Sequence, residues 1–399
     1  MKNNRKPNIT GWVSVVSAAL FFFYWFIQLS LSNTLVEYYT QKYSIIHYGL
    51  FASMYLIGNV LMFIPAGVLL DRFPAKKVIG LSMIVMILGV FGMIGSSNTW
   101  FAYTCMLFIG FSGAFSLLAC VRVAANWFHE GSVGFPISVA ITIAFLGSYF
   151  GNAGAQALLA YFGSGEAVQI IDIIIGVIIL CIVYFGIKTP LNVSFSHDNQ
   201  SFLVAFKNLL TVMGKRQNWL AGLYISLMNF PVMILEFGFG QSYLDHVFSI
   251  SKLNAANITG VISIGFMIGG PLWNKMSDKA GLRKPFIILG GVLSLGITLL
   301  LLAHDFNTRE LMIIFFLIGV LISAQTLGYP VITESNDFKF SASATSLASL
   351  LIMGGGAIAQ IFFGFVETSL SYSAAYMIIP ACMVIAIILG IFIKETEKV

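Results

Sequence analysis

The segment GVLLDRFPAKK (67–77) has a near-copy, SDKAGLRKP (277–285), in the second half of the chain. Setting Asp71 on Asp278 fixes an offset of 207 residues. Arg72 then meets Lys279, Lys76 meets Arg283, and Lys77 meets Lys284. The same offset carries Gly147 onto Gly354. Each copy follows a long apolar run, so the pair reads as two equivalent turns in a chain built from two parallel repeats.

Working outward from these turns, the apolar runs number twelve: 11–37, 47–70, 78–96, 100–124, 134–160, 168–187, 217–244, 254–274, 285–303, 309–332, 341–366 and 372–393. Each has about the 20 residues that a membrane helix needs. Composition agrees, since 58% of the 399 residues are hydrophobic and 9% are charged. A soluble domain carries about 25% charged residues. These figures exclude a soluble enzyme, a secreted domain and a disordered chain. The expected fold is an all-α membrane protein of twelve transmembrane helices in two six-helix bundles. Residues 1–187 form the first bundle, 188–216 a linker with an interfacial helix near 202–213, and 217–399 the second bundle.

Lysine and arginine set the orientation. With the N-terminus inside, the inner segments carry Lys2, Arg5, Lys6, Arg72, Lys76, Lys77, Lys188, Lys207, Lys215, Arg216, Lys275, Lys279, Arg283, Lys284, Lys339, Lys394 and Lys398. The outer loops carry Lys42, Lys252 and Arg309, and Arg122 falls within the fourth run. Both termini are therefore expected in the cytoplasm, and the first run is expected to stay as a helix rather than act as a cleaved signal. The net charge of +5 follows this topology and not a nucleic-acid surface, because the bases form no continuous patch. The sequons at Asn8 and Asn192 then face the cytoplasm and carry no glycosylation meaning.

The repeated Asp-basic-x-Gly-x-basic-basic turn resembles the signature of the major facilitator superfamily. The resemblance spans the whole chain and implies a secondary transporter with alternating access. It also implies that Asp71, Arg72, Lys76, Asp278, Lys279 and Arg283 act as gate residues; the alternative is a charge cluster that only sets topology. Two departures stand out. Pro74 occupies the place of the usual glycine, and Met106 of MLFIGFSG (106–113) stands where an arginine is usual. A narrower likeness lies in CVRVAANWF (120–128) and FIPAG (63–67). These resemble lysosomal dipeptide transporters and nutrient transporters of bacteria that live inside host cells, several of which move amino acids.

Ionisable groups inside membrane helices are costly and point to function. Arg122 lies about two turns from the inner end of the fourth run, and Glu236 lies in the seventh, after Asn229 and Pro231. An amino acid or short peptide is a zwitterion, whose carboxylate suits an arginine fork and whose ammonium suits a carboxylate. Glu236 can instead carry a coupling proton. The plainer alternatives are a snorkelling Arg122 and a structural bond from Glu236. Tyr24, Gln28, Tyr55, Asn59, Asn229, Gln325 and Tyr329 are further candidate ligands, each also explicable as a helix-helix hydrogen bond. Asp172, Glu37 and Glu334 lie near helix ends and are expected to be wet. Pro231 and Pro330 are candidate kinks.

Other chemistry is absent from the pattern. The chain has no phosphate-binding glycine motif, no catalytic constellation and no metal-ligand spacing, so no cofactor or metal is expected. Cys105, Cys120, Cys181 and Cys382 read as small apolar core residues, and the five histidines as solvated. The sequence reading is uptake of an amino acid or short peptide through a bacterial inner membrane by a monomer in the lipid bilayer, with protons as the candidate coupling ion. The rivals are an exporter of a drug-like or siderophore-like compound and a non-transporting sensor.

Overall fold

A computed structural model describes residues 9–128, 133–190, 202–303, 305–337 and 340–396. The readings placed on Lys2, Arg5, Lys6, Asn8, His129, Asn192, His197, His304, Lys339 and Lys398 lie outside the described residues, as does the side chain of Asp71. Among the described residues, twelve helices are long and apolar enough to cross a membrane. In chain order they are α1 Ile9–Thr34, α2 Tyr48–Leu70, α3 Ala75–Gly95, α4 Thr99–Trp127, α5 Gly134–Phe162 and α6 Gly165–Gly186, then α7 Arg216–Glu236, α8 Lys252–Ala280, α9 Lys284–Ala303, α10 Thr308–Glu334, α11 Ser343–Ser369 and α12 Tyr372–Phe392. No strand occurs among the described residues.

The packing repeats with a period of six helices. In the first half α1 packs on α5 and α6, α2 on α4, and α3 on α6. In the second half α7 packs on α11 and α12, α8 on α10, and α9 on α12. One contact shows the correspondence at atomic scale. A Cβ at Gly58 of α2 would lie 2.2 Å from the Leu107 carbonyl oxygen, and one at Gly110 of α4 would lie 2.0 Å from that of Tyr55. In α8 and α10, a Cβ at Gly265 would lie 2.1 Å from the Phe316 carbonyl oxygen, and one at Gly319 would lie 2.1 Å from that of Ile262. Gly58 and Gly265 are related by the same 207-residue offset as the two turns. Backbones can approach this closely because small residues stand at the crossing.

One end of the bundle carries the turns at 71–75 and 280–284 and most of the described lysines and arginines; we call it the basic end. The opposite, far end carries Lys42, Lys252 and Arg309. At the basic end a helix over Phe202–Met213 packs against α11 and α2, one helix from each half.

Several spans are not regular. The first predicted run stops as a helix at Thr34, and a separate short helix covers Val36–Tyr43. In α5 a wide π-turn occupies Phe150–Gly154. The seventh predicted run breaks: a π-turn covers Val232–Glu236 just after Pro231, and a new helix begins at Gly240. The break at 237–239 follows the π-turn and contains Gly238. Proline lacks an N–H and clashes with the preceding turn, which accounts for the interruption at Asn229 just before it. In α10 the residues before Pro330 tighten to a 3-10 helix over Ser323–Leu327 for the same reason.

The glycine crossings yield a prediction. Gly110→Val and Gly319→Val each force a side chain onto a neighbouring backbone and should each cost about 1–3 kcal/mol of stability. Gly296→Ala, with open space around it, should leave thermal unfolding in detergent unchanged. Equal melting temperatures for all three variants would remove the packing role assigned to these glycines.

Candidate functional site

The break in α7 creates the chemistry of the site. A membrane helix satisfies its own backbone, and an interrupted one needs partners from elsewhere. Here the Met233 carbonyl accepts from Gln360 Nε2 of α11 at 3.0 Å. The Leu235 and Glu236 carbonyls accept from Asn33 Nδ2 of α1 at 3.2 and 3.0 Å. Asn152 Nδ2, in the π-turn of α5, also reaches the Glu236 carbonyl at 3.3 Å. Two of the three freed carbonyls are thus satisfied by the opposite half of the molecule.

A chain of amides extends this seam. Gln241 donates its N–H to Asn33 Oδ1 at 3.1 Å, and its Nε2 to Thr34 Oγ1 at 2.8 Å and to Asn152 Oδ1 at 3.0 Å. Asn33 Nδ2 also donates to Asn152 Oδ1 at 3.1 Å. At the far surface Lys252 and Glu37 pair across the halves at 2.5 Å. This pair is exposed, and a pair in such a setting contributes little by itself. These hydrogen bonds join the halves at this end.

Glu236 sits at the inner edge of the seam, fully buried. Its Oε1 accepts hydrogen bonds from Ser148 of α5 and Ser263 of α8. Ser148 also bonds Ser30 of α1 at 2.9 Å. The second oxygen, Oε2, is buried without a hydrogen-bond partner. No ion pair to Glu236 occurs among the described residues. Toward the basic end an aromatic layer follows, with ring centroids of Phe145 and Phe266 stacked at 4.8 Å, Phe26 and Phe145 at 5.1 Å, and Phe26 and Phe237 at 5.8 Å. It too is shared between halves.

The remaining candidates fall into groups. Gln325 Nε2 donates to Asn229 Oδ1 at 2.8 Å, while Gln325 Oε1 is buried without a partner. The Tyr55 hydroxyl donates to the Trp25 carbonyl at 3.0 Å. Trp25 Nε1 is buried without a partner against Gly113, where a Cβ would lie 1.7 Å from it. Asn59 is buried, and Tyr329 and Arg122 are half-buried. Tyr24 and Gln28 converge on Asp172 of α6: Gln28 Nε2 lies 2.8 and 2.6 Å from its carboxylate oxygens and the Tyr24 hydroxyl 3.3 Å from one. They lie inside the first half, away from the seam. Arg122 and Glu236 do not come together. Counting 1.5 Å per residue from the basic end of each helix, Arg122 lies at about 8 Å and Glu236 at about 30 Å.

Three expectations are corrected, while Glu37 is exposed as expected. Asp172 is not wet, because the α1 side chains cover it to 4% exposure. Glu334 is not free in water, since it accepts from Arg283 at 3.0 Å. Cys181 is exposed on an outward face and is not a core residue, while Cys105 and Cys120 are buried.

The two gate turns differ. Arg283 binds Asp278 at 2.7 Å and Glu334 at 3.0 Å, all within the second half. Burial works against the Arg283 charge, but these two carboxylates outweigh it and raise its pKa. Glu395 closes the same network by accepting from the Arg283 and Lys284 N–H groups at 2.6 and 3.1 Å. Lys279 is exposed. In the first half Arg72 is exposed and Lys76 Nζ sits 3.9 Å above the Tyr184 ring centre.

The sequence reading missed Asn33, Ser148, Asn152, Gln241 and Ser263. Their only signal was polarity within an apolar run, and it named no partner.

Comparison with known proteins follows from this geometry. The profile described as Major Facilitator Superfamily matches residues 13–245 and 220–399. No curated protein matches. Among solved structures, the chain is similar to a bacterial homolog of the human lysosomal transporter Spinster, in an inward-facing, unoccupied conformation. The TM-score is 0.73 at 14% identity, over 97% of this chain and 96% of that one.

The seam can be tested directly. Asn33→Ala leaves a carbonyl of α7 and the Gln241 N–H short of partners, at about 1–3 kcal/mol per unsatisfied group. A cysteine placed at Ser242, in the far-end cavity of 240 Å³ beside Glu37 and Gln241, should then react faster with a maleimide than in the parent. An unchanged rate would show that Asn33 does not hold this end closed.

Proposed function

The chain belongs to the major facilitator superfamily and is a secondary transporter rather than an enzyme; we propose that it takes up an amino acid or short peptide, coupled to protons through Glu236. The basic end faces the cytoplasm of a bacterium, both termini lie there, and the monomer works in the inner membrane.

The observation that carries the coupling is the Glu236 carboxyl group. It is buried between the halves, held by one serine from each, with one oxygen unpartnered and no counter-charge among the described residues. A neutral acid fits this closed seam, whereas an unpaired carboxylate there is costly. When the far end opens, the seam's hydrogen bonds break and the carboxyl group returns to water. Proton gain and loss at Glu236 are thereby tied to closing and opening of the far end.

The solute binds below the aromatic layer. Arg122 takes its carboxylate by a charge-assisted fork. Asn59, Tyr55, Asn229, Gln325 and Tyr329 complete the polar path, and the unpartnered Gln325 Oε1 and Trp25 Nε1 offer one acceptor and one donor. Because Arg122 and Glu236 stand at different depths, they do not hold the two ends of one amino acid. Glu236 serves the proton and Arg122 the solute. Tyr24 and Gln28 are assigned to Asp172.

A thermal-shift screen of amino acids, dipeptides, sugars and carboxylates identifies the solute, since a ligand of the folded state raises the melting temperature. In proteoliposomes Glu236→Gln should lose accumulation driven by a proton gradient yet keep solute exchange. Arg122→Ala should lose both while remaining monodisperse. Gradient-driven accumulation by Glu236→Gln would end the coupling assignment. Stabilisation by bulky apolar cations or chelators alone would favour the exporter.

A further inference from the structure

On the outer surface of the first half, a groove of 410 Å³ runs between α2 and α3. Met62 and Leu69 form one wall, Leu81 and Val85 the other, and Phe108 and Phe111 of α4 the floor. It belongs to neither the seam nor the polar path. Leu81 is 65% exposed and Phe108 45%, so the groove opens toward the hydrocarbon. The two hydroxyls in its lining offer a ligand little. Ser82 Oγ donates to the Val78 carbonyl at 2.9 Å and Ser112 Oγ to that of Phe108 at 3.2 Å.

The groove has a direction. From Lys77, which lines it at the basic end, to Val85 it runs about 12 Å along α3. That is close to one leaflet of a hydrocarbon core about 30 Å thick. Lys77 is exposed, as is Arg72 five residues before it on the same turn. The nearby Lys76 is engaged with the Tyr184 ring. The turn contributes Arg72, Lys76 and Lys77 against Asp71, so its formal charge is +2.

We infer that this groove binds one anionic glycerophospholipid of the leaflet at the basic end, with an acyl chain between α2 and α3 and the phosphate on Lys77. Charge complementarity selects this occupant. A second apolar groove, of 420 Å³ between α11 and α12, has no charged lining residue and so gives no reason to prefer one headgroup. A polar solute fits neither wall of the α2–α3 groove. The bound lipid lies against the first gate turn.

Native mass spectrometry of the full-length protein in mixed micelles tests the assignment, with dioleoyl phosphatidylglycerol against dioleoyl phosphatidylcholine. The wild type should retain phosphatidylglycerol in preference. Lys77→Gln should weaken that binding about fivefold, the value of one basic residue at an anionic surface. Val85→Trp, which fills the groove and leaves every charge in place, should weaken it as well. Lys284→Gln, the matched position in the second half, should retain it. Equal retention of the two lipids overturns the inference. So does wild-type binding by Lys77→Gln or by Val85→Trp, or an equal loss in Lys77→Gln and Lys284→Gln, which would report general surface charge.

Discussion

A broken helix inside a membrane must find partners for the carbonyls it frees, and in this protein the opposite half supplies them. Regular α-helices would have left the two halves free to meet through side chains alone. The interruption after Pro231 changes the terms. The Leu235 and Glu236 carbonyls are satisfied only while α1 and α5 are in place. Closure of the far end is therefore part of the hydrogen bonding of α7, and separation of the halves requires water to replace Asn33 and Asn152. The same break lets the helix restart at Gly240 and brings Gln241 back into the seam.

The rest of the fold supplies rigid levers around that seam. The glycine crossings lock α2 to α4 and α8 to α10 at backbone contact distance, so each pair moves as one body. A crossing of the same kind joins the two halves. Where α2 meets α11, a Cβ at Gly49 would lie 2.2 Å from the Gln360 carbonyl oxygen, and that contact is at the far end. At the basic end the helix over Phe202–Met213 packs against the same two helices. The ion pairs of Arg283 with Asp278 and Glu334 lie within the second half and stiffen its turn. Hydrogen bonds that join the halves across the far end are a geometry suited to rocking.

How much of this was legible in the sequence differs by scale. Twelve spans and the repeat could be read because apolar length and a repeated charged turn are properties of a single stretch. The short helix after Thr34 was not, since Val36–Tyr43 is polar and too short to carry a helical pattern of its own. The convergence of Asn33, Asn152, Gln241, Ser148 and Ser263 was not legible either. Each is one polar residue in an apolar helix, and only the tertiary arrangement says which of them meet. Pro231 did announce a kink, but the carbonyls that matter lie downstream of it, freed where the helix lapses at 237–239, and the side chains that cap them come from other helices. Asp172 misled for a related reason: proximity to a helix end suggested water, yet Tyr24 and Gln28 on the facing helix exclude it.

The two buried acids show why position relative to the moving surface matters more than burial. Asp172 and Glu236 are both buried, both hydrogen-bonded and neither is ion-paired among the described residues. Every side chain that bonds the Asp172 carboxylate belongs to α1 in the same half, so a rocking motion leaves its surroundings intact. Ser148 and Ser263 bring the two halves together on one oxygen of Glu236, so the same motion removes a hydrogen bond and admits water. Two acids of similar burial therefore differ in the one respect that coupling demands. A group can link protonation to conformation only if its solvation differs between the two conformations, and the shared seam makes Glu236 such a group.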